Sequence, residues 1–457
     1  MDFNIAEIDN RNTPRVQLNL PIKINNNKGE TIDFNELGMG FRTLNKIEKR
    51  DYNAEIKLDS GCIDFNIEII WSKKDKKSNT YIHGAKFSEI NPVKLQKIRK
   101  KVIITKLKNT IKSFSLKADK KDLMRFSKEV LAYLSSLYHL SEKLDSGNMR
   151  VKNASEFLKT RTDKVMEEAK IFQDSINNKL LEKKAKKDFR DLTSSWAYKG
   201  FIVKRSFDKP RGYPGDFRIM EYIYDEILIS KGIGQCFDVY FQNNEYAEAV
   251  RKRKDWMRRY LENFISEKNK KNINILNIAC GSNREIRELL HNKPYVYTHL
   301  SEKGKKVILN LLDQDNEALA FSNLNLKSFN RFVDIRLLDN DIMDLTKENE
   351  VQINQSMDLI YTIGLADYLP DRILGKLLNR CVDNFLKKDG KLVIAHKDIS
   401  RYRPMPPNWF CDWNFYSRNK DDLNNLLKKH VGFDTVDVQY YRDDTGIIIF
   451  AELTKIK

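Results

Sequence analysis

The pattern of apolar and polar positions divides the chain into three stretches. Residues 15–90 contain short segments in which apolar and polar residues alternate, such as VQLNLPIKI and IDFNIEIIW, separated by turn-forming segments such as NNNKGE. Alternation with a period of two predicts half-buried strands, so we expect a small antiparallel sheet or barrel here. Residues 94–200 contain little Gly or Pro and place apolar residues at helical spacing, which predicts helices.

The pattern changes again from residue 272 onwards. Apolar segments such as INILNIA, KKVILNLLD and MDLIYTIG alternate with segments of helical composition. This spacing predicts a doubly wound, Rossmann-like α/β domain, in which a mostly parallel sheet has helices on both faces. We therefore predict a multidomain protein with a small antiparallel β-barrel in residues 1–96, a helical connector or lid in 97–268, and the α/β domain in 269–457.

The charge of the chain is uneven. The net charge of the 457 residues is +18, and residues 91–200 carry 27 basic and only 13 acidic side chains. Such a segment can steer anionic substrates, an acidic carrier protein or a membrane surface towards the protein, or it can bind RNA. Lys-rich helical faces are more often simply solvated, and we favour that interpretation because no RNA-binding motif accompanies the charge.

Composition also bears on location and metal binding. The chain has no run of about 18 apolar residues, and its first residues, MDFNIAEIDNRNTPR, lack the features of a secretory signal. Its five cysteines lie far apart without a CxxC pair. These features predict a cytoplasmic protein with reduced thiols, no transmembrane segment and no metal site.

Residues near the start of the first stretch suit a guanine-containing phosphodiester. Arg11 and Arg15 form an RxxxR pair, and the segment DFNELG places Asp33 five residues before Gly38. Guanidinium groups can fork onto phosphate oxygens and stack on purine rings. The Asp33 carboxylate can accept hydrogen bonds from a guanine edge, and Gly38 lets a ligand approach the backbone.

This stretch, over about residues 8–95, resembles a PilZ domain, the bacterial receptor for cyclic di-GMP. The PilZ signature is RxxxR followed by [D/N]xSxxG, a strand ending in Trp and a later GxxF. The chain has DFNELGMGF, EIIW and HGAKF in that order, with Asn35 where the family has Ser. The resemblance implies a signalling role in which cyclic di-GMP binds at Arg11, Arg15, Asp33, Asn35 and Gly38. The alternative is that these side chains only solvate the rim of a barrel.

A second candidate site follows the first strand of the α/β domain. The segment ILNIACGSN lies between this strand and REIRELL, which has helix-forming composition. A ligand at this loop would meet backbone N–H groups and the positive end of a helix. Asp313 and Asp341 end the next two strands, where one carboxylate can bridge ribose hydroxyls and the other can accept from an adenine amino group.

This series of motifs resembles the class I methyltransferases that use S-adenosylmethionine (SAM), over about residues 268–457. That family's loop reads [D/E]xGxGxG. Here Asn277 replaces the acidic residue, Ala279 the first Gly and Asn283 the last, while Gly281 remains. The resemblance implies that SAM binds at Asn277, Ala279, Gly281, Asp313 and Asp341. Another adenosine cofactor, or an inactive methyltransferase fold, would fit the same pattern.

Further segments carry a narrower resemblance. KPRGYPGDF, IGLADYLPD and DWNFYSRNKDDL are similar to segments of the bacterial extracellular-factor methyltransferases, which make methyl esters of 3-hydroxy fatty acids. The resemblance implies a fatty-acid carboxylate as methyl acceptor, and an acceptor of this kind needs no general base. The residues expected to line the acceptor site are Tyr213, Asp216, Asp367, Tyr368 and His396, with Trp409, Trp413 and Tyr416 either walling it or forming core.

The sequence therefore predicts a SAM-dependent methyltransferase that responds to cyclic di-GMP and acts on a small molecule. Two alternatives remain open. In one, the chain is a non-catalytic adaptor that binds cyclic di-GMP and keeps a degenerate methyltransferase fold. In the other, it is an RNA methyltransferase that binds RNA through residues 91–200, although we do not expect nucleic acid as a partner.

Overall fold

The computed structural model describes residues 16–34, 38–58, 61–76, 78–89, 94, 98, 101, 117–268, 271–292, 306–329, 333–347 and 356–456. The chain divides into two compact units. Residues 1–203 and 230–237 form the first, and residues 204–229 and 238–457 form the second. The domain limits at residues 96 and 268 stay predictions.

The first unit contains an antiparallel barrel. Its described strands are β1 (Val16–Gln17), β2 (Pro21–Ile24), β3 (Asn27–Phe34), β4 (Gly38–Thr43), β5 (Asp51–Leu58), β6 (Gly61–Asp75) and β7 (Thr80–Glu89). They pair in the order β1-β3-β2-β5-β6-β7-β4, and a further pairing of β3 with β4 closes six of them into a barrel. The predicted small barrel is confirmed.

The alternation of apolar and polar residues along the strands explains which side chains fill the barrel. Side chains of β2 and β5 are buried at every second position, and this places Ile22, Ile24 and Ile56 in one apolar core. His83 also points inside, where its ring nitrogens lie 2.8 Å from the Thr43 hydroxyl and 2.7 Å from the Ser72 hydroxyl. Burial lowers the pKa of His83 to about 4, so this histidine is neutral at physiological pH.

The described helices are α1 (Lys117–Asp145), α2 (Val151–Ser175), α3 (Lys179–Ala197), α4 (Phe201–Asp208), α5 (Phe217–Tyr224), α6 (Gly232–Gln242), α7 (Glu245–Glu267), α8 (Arg284–Asn292), α9 (Asn316–Leu326), α10 (Ile342–Leu345), α11 (Asp371–Arg380), α12 (Met405–Cys411) and α13 (Lys420–His430). In the first unit, α1 buries the residues whose spacing predicted it, among them Leu123, Phe126 and Val130. The helical region expected after the barrel is confirmed. No described helix has the length and apolarity needed to cross a membrane.

The second unit is built on an α/β sheet. Its described strands are β8 (Asn272–Ile278), β9 (Lys306–Asp313), β10 (Val333–Asp339), β11 (Met357–Thr362), β12 (Leu386–Lys397), β13 (Val436–Arg442) and β14 (Ile448–Lys455). They pair in the order β10-β9-β8-β11-β12-β14-β13. Strands β8 to β12 are parallel, whereas β14 is antiparallel to both of its neighbours. The predicted doubly wound architecture is confirmed.

The strand order creates one crevice where a ligand can bind. From β8 the chain moves outwards through β9 and β10 on one side, then returns to place β11 and β12 on the other. The connections that follow β8 and β11 therefore leave the sheet in opposite directions. In open α/β sheets, ligands bind at the carboxyl ends of the strands at such a switch point.

Helix α7 is fixed against the antiparallel side of this sheet. The Trp256 ring stacks on Phe450 of β14 with centroids 3.7 Å apart, and the Tyr260 hydroxyl donates to Glu452 Oε2 at 2.5 Å. At the start of the helix, Asn244 caps it by accepting from the Ala247 N–H at 2.9 Å. These contacts hold the buried face of α7 in place beside the carboxyl ends of the strands.

Candidate functional site

The loop after β8 keeps a glycine-type backbone without two of the glycines. Ala279, Gly281 and Asn283 all have positive φ, of 55°, 55° and 49°. They occupy the positions of the glycines in the family pattern. Left-handed backbone costs an L-residue roughly 1–2 kcal/mol, although Asn tolerates it better than most. The side chains differ from the methyltransferase pattern, but the loop has the left-handed backbone that glycines would allow, and this backbone leads into α8.

Polar side chains hold this loop in shape. Asn283 Oδ1 accepts from Asn277 Nδ2 at 2.7 Å, and Asn283 Nδ2 donates to the Ser322 hydroxyl at 3.1 Å. Ser322 in turn donates to the Gly281 carbonyl at 2.8 Å. Asn277 and Asn283 are both about 98% buried or more, so these bonds form away from water. Three residues depart from the methyltransferase pattern, and two of them, Asn277 and Asn283, support the loop with these bonds.

Asp313 at the end of β9 contacts the same loop. Its Oδ2 accepts from the Gly281 N–H at 2.8 Å, and its Oδ1 accepts from the Asp315 N–H at 2.9 Å. Burial raises the pKa of the Asp313 carboxyl, while these backbone N–H groups act in the opposite direction. Each carboxylate oxygen can accept a further bond, so Asp313 can still meet a ligand hydroxyl.

Asp341, at the end of β10, has a different position. Its Oδ1 accepts from the Met343 N–H at 2.8 Å and caps the short helix α10. Asp341 does not line the cavity described next, whereas its neighbour Ile342 does. The adenine contact expected for Asp341 stays a prediction.

A cavity of about 260 Å³ lies at the switch point of the sheet. Its volume is near the lower end of the range for small-molecule sites. Its walls come from the loop after β8, the loops after β9 and β11, the segment before α5, and α7. The residues in its lining are Tyr213, Gly215, Phe217, Met220, Tyr224, Tyr246, Arg253, Asn277, Ala279, Cys280, Gly281, Ser282, Asn283, Arg284, Glu285, Asp313, Gln314, Ile342, Ile363, Gly364, Leu365, Asp367, Tyr368, Leu369 and Trp413.

The RGYPGD segment forms one wall of this cavity. Gly212 has a φ of 84°, which turns the chain so that Tyr213 enters the lining. Gly215 packs against aromatic residues: a Cβ there would lie 2.5 Å from the Trp413 ring and 2.9 Å from the Tyr368 hydroxyl. A side chain at Gly215 would therefore displace part of the wall.

Asp216 serves the helix that follows. Its Oδ1 accepts from the Ile219 N–H at 3.0 Å and caps α5, and its Oδ2 lies 2.7 Å from Arg205 Nη2. The side chain is almost fully buried and does not line the cavity. A role for Asp216 in the acceptor site stays a prediction.

Ion pairs anchor the RGYPGD segment at its amino-terminal end. Arg211 Nε lies 3.6 Å from Asp315 Oδ2, and Arg211 also pairs with Glu317. Lys209 Nζ lies 3.1 Å from the Asp412 carbonyl oxygen. The wall is thereby tied to the loop after β9 on one side and to the end of α12 on the other.

The loop after β11 supplies Asp367 and Tyr368, and both line the cavity. Asp367 Oδ1 accepts from the Lys397 N–H at 3.0 Å and lies 2.8 Å from His396 Nδ1. Burial alone would raise the pKa of Asp367, but His396 and Lys397 outweigh it and hold this pKa well below the usual range. The Tyr368 hydroxyl accepts from Trp413 Nε1 at 2.7 Å.

His396 and Lys397 lie behind this wall, outside the lining of the cavity. Both are buried, and neither His396 Nε2 nor Lys397 Nζ has a hydrogen-bond partner among the described residues. Lys397 Nζ lies 3.0 Å from the centroid of the Phe415 ring and 4.0 Å from that of Tyr246. Burial lowers the pKa of Lys397 to about 7, against the attraction of Asp367.

Three charged residues in the lining, Arg253, Arg284 and Glu285, were not predicted from the sequence, and two of them, Glu285 and Arg253, are buried. Glu285, in the first turn of α8, is 3% exposed and accepts from Asn277 Nδ2 at 3.2 Å and from the Tyr361 hydroxyl at 2.8 Å. Arg253, on α7, is 6% exposed. The sequence contained a signal for Glu285. It is an acidic residue just after the loop, and Asn277 stands at the loop position where the methyltransferase pattern has an acidic residue. The sequence contained none for Arg253, which is one of many basic residues in RKRKDWMRR.

The candidate cyclic di-GMP residues are described only in part. Asp33 Oδ1 accepts from the Gly40 N–H at 2.8 Å, and Gly38 begins β4, where a Cβ would lie 2.0 Å from the Ala85 carbonyl oxygen. The structure therefore brings Asp33 and Gly38 to the same end of paired strands β3 and β4. Arg11, Arg15 and Asn35 lie outside the described residues.

No family model matches the chain, and no curated protein matches it either. A solved structure of a possible exported protein from Bordetella parapertussis is 15% identical with a TM-score of 0.42, covering 72% of this chain and 97% of its own. Magnesium protoporphyrin IX methyltransferase from Synechocystis, with bound SAH, is 11% identical with a TM-score of 0.36, covering 56% and 99%.

A further solved structure is a TehB-like SAM-dependent methyltransferase from Corynebacterium glutamicum. It is 13% identical with a TM-score of 0.27, covering 44% of this chain and 97% of its own. Two of these three proteins are methyltransferases. Because every TM-score is below 0.5, the functional proposal rests on the geometry of the site.

Proposed function

We propose that the second unit binds SAM in the cavity at the switch point and transfers its methyl group to a small-molecule acceptor. The observation that carries the proposal is the loop of residues 279–283, which has left-handed backbone at alternate positions and contacts a carboxylate at the end of the next strand. Backbone N–H groups at the start of α8 suit an anionic ligand, and Asp313 suits a ribose. SAM would supply an activated methyl group there.

The residues of the predicted acceptor site that do line the cavity favour an acceptor that is already nucleophilic. Burial raises the pKa of Tyr213 and of Tyr368 well above the usual value, whereas the pKa of Asp367 is well below its own. None of these three groups is suited to accept a proton from a hydroxyl near neutral pH. Tyr246 and Trp413 add aromatic, apolar surface to the cavity wall. A carboxylate acceptor, such as that of a fatty acid, meets these conditions.

Calorimetry with SAM and with its demethylated product SAH tests cofactor binding directly. Gly281 has a φ of 55°, which strains the backbone of any other residue, but the heavy atom nearest to an added Cβ is Phe217 Cβ at 3.9 Å, so an added side chain has room and extends beside the cavity. We expect Gly281→Val to abolish binding. Gly446→Val is the matched control, because Gly446 also has a positive φ, of 73°, but does not line the cavity. Unchanged binding by Gly281→Val would place the ligand elsewhere.

The same experiment separates the alternatives. A non-catalytic adaptor with a degenerate fold would give no heat with SAM or SAH. If binding occurs, transfer of a labelled methyl group into lipid, protein and RNA fractions identifies the class of acceptor. Label in RNA, together with RNA binding that weakens steeply with salt, would support an RNA methyltransferase instead.

We also propose that the barrel binds cyclic di-GMP and that this binding changes activity in the second unit. Support comes from the closed antiparallel barrel and from Asp33 and Gly38 at one end of its paired strands. For regulation, the ligand has to bind one arrangement of the chain more tightly than another. Calorimetry with the wild type and Arg15→Ala tests binding, and turnover with and without saturating cyclic di-GMP tests regulation. No change in SAM affinity or turnover would refute the regulatory part.

A further inference from the structure

Two buried side chains of opposite charge line the cavity, and the roles proposed so far use neither of them. Glu285 comes from the first turn of α8, and Arg253 comes from the buried face of α7. Both are more than nine-tenths buried. Charged groups this far from water need partners of opposite charge or strong hydrogen bonds. Glu285 accepts from Asn277 and Tyr361, and Arg253 interacts with Tyr224 and Asp367, yet both groups also face the cavity.

The position of Glu285 is fixed by its neighbours. Asn277 Nδ2 donates to Glu285 Oε1 at 3.2 Å, and the Tyr361 hydroxyl donates to the same oxygen at 2.8 Å. Asn277 occupies the acidic position of the methyltransferase pattern. The negative charge missing from that position is thus provided by a residue eight positions later, and Asn277 helps to orient it. The backbone N–H of Glu285 also donates to its carboxylate, and because Glu285 lines the cavity, a ligand cation can approach this carboxylate.

Arg253 supplies the opposite charge. Its Nε has no hydrogen-bond partner among the described residues, and its Nη2 lies 3.9 Å from where a Cβ on Gly364 of the opposite wall would be. Burial raises the pKa of Glu285, and the positive charge of Arg253 is one of the influences that lower it, so the two groups are close enough to interact. A buried guanidinium that faces a cavity is suited to bind a carboxylate.

We propose that Glu285 and Arg253 form an amino-acid clamp, in which Glu285 binds the ammonium and Arg253 the carboxylate of an α-amino-acid group. We assign this group to the methionine end of SAM, an assignment that rests on the function proposed above. In this group the ammonium and the carboxylate are attached to the same carbon atom. The clamp would place a side chain of opposite charge next to each of them. The clamp would also fix the orientation of the cofactor in the cavity.

A pair of ligands isolates the clamp. SAH contains the amino-acid group, whereas 5′-methylthioadenosine is a related nucleoside thioether that lacks it. Calorimetry with both ligands compares the full-length wild type with Glu285→Gln, which keeps the shape of the side chain, and Arg253→Met, which keeps its length. Glu288→Gln is the control, because Glu288 lies one turn further along α8 and does not itself line the cavity, although it pairs with Lys254 and with the lining residue Arg284.

We expect Glu285→Gln and Arg253→Met each to weaken SAH binding by about 10- to 100-fold, the value of a hydrogen bond to a charged group. Binding of methylthioadenosine should change less than about twofold, within the range of surface substitutions. Retained methylthioadenosine binding also shows that each variant is folded. If Arg253→Met does not fold, Arg253→Lys replaces it and should give a smaller loss of SAH affinity, because Lys keeps the charge without the planar fork.

Three results would overturn the clamp. Unchanged SAH affinity in Arg253→Met would show that Arg253 serves another anion, such as an acceptor carboxylate. Equal losses for both ligands would show that the residues only support the loop. Equal affinity of the wild type for both ligands would show that the amino-acid group is not recognised. A wild type that binds neither ligand refutes the proposed function itself, and this outcome is distinct from the other three.

Discussion

Replacement of Lys397 by Met is expected to change how the stability of the protein depends on pH. Lys397 is 4% exposed, and its Nζ lies against the Phe415 and Tyr246 rings without a hydrogen-bond partner among the described residues. Burial lowers its pKa from 10.5 to about 7. Met has a similar length and no charge, so Lys397→Met removes the titrating group and leaves most of the packing.

The sign of the effect follows from proton binding. The pKa of Lys397 is lower in the folded than in the unfolded chain, so between about pH 7 and pH 10.5 the unfolded chain binds more protons. Stability therefore rises with pH in this window and is lowest below pH 7, where the buried amine is charged. The full difference between the pKa values of Lys397 in the folded and the unfolded chain corresponds to about 5 kcal/mol in the free energy of unfolding. Between pH 6 and pH 9, this titration raises the free energy of unfolding by about 2–3 kcal/mol.

Denaturant unfolding of the wild type and Lys397→Met at several pH values from 6 to 9 measures this difference. Between pH 6 and pH 9, the free energy of unfolding of the wild type should rise by about 2–3 kcal/mol more than that of the variant. Lys388→Met serves as control, since Lys388 lies on the same strand but is exposed. If Lys397→Met and the wild type gain the same stability between pH 6 and pH 9, Lys397 titrates like an exposed lysine and the argument from burial is wrong.

Three further predictions concern the walls of the cavity. Ala279→Gly should stabilise the protein by up to about 1 kcal/mol in thermal unfolding, because Gly adopts the positive φ at this position without strain; lower stability would contradict this. Asn283→Gly should instead destabilise it by about 1–3 kcal/mol, since the buried bonds to Asn277 and Ser322 are lost, and a gain in stability would mean that backbone strain outweighs these bonds. Gly215→Ala should lower SAH affinity more than it lowers stability, as its methyl group would displace Trp413 in the cavity wall; wild-type affinity by calorimetry would show that the wall can adjust.

The barrel and the α/β sheet could be predicted because each has a regular pattern. In the barrel, alternate positions of short strands face the interior, and the same alternation is visible in the sequence. In the second unit, strands such as β11 are buried along their whole length and are mostly apolar, which indicates a parallel sheet.

Parts of the site could not be predicted, for physical reasons. An aspartate after a strand can bind a ligand or cap a helix, and the sequence does not distinguish these roles for Asp341, which caps α10. Glu285 looked like an ordinary acidic residue in a first helical turn, where such residues are common. Arg253 lies in a highly charged helical segment, whereas Lys397 ends an apolar strand. Whether either side chain is buried is decided by packing between distant parts of the chain.

The antiparallel pair at the edge of the second sheet has a consequence for folding order. Among the described strands, β13 pairs with β14 alone, and β14 lies between β13 and β12. Although β13 precedes β14 along the chain, it can join the sheet only after β14 has docked or together with it as a hairpin. Until then β12, whose last six residues are all buried in the native state, exposes its backbone N–H and C=O groups to pairing with other chains. Interruption of residues 448–455 should therefore cause aggregation through β12, and it would also remove the Phe450 and Glu452 contacts that hold α7 beside the ligand cavity.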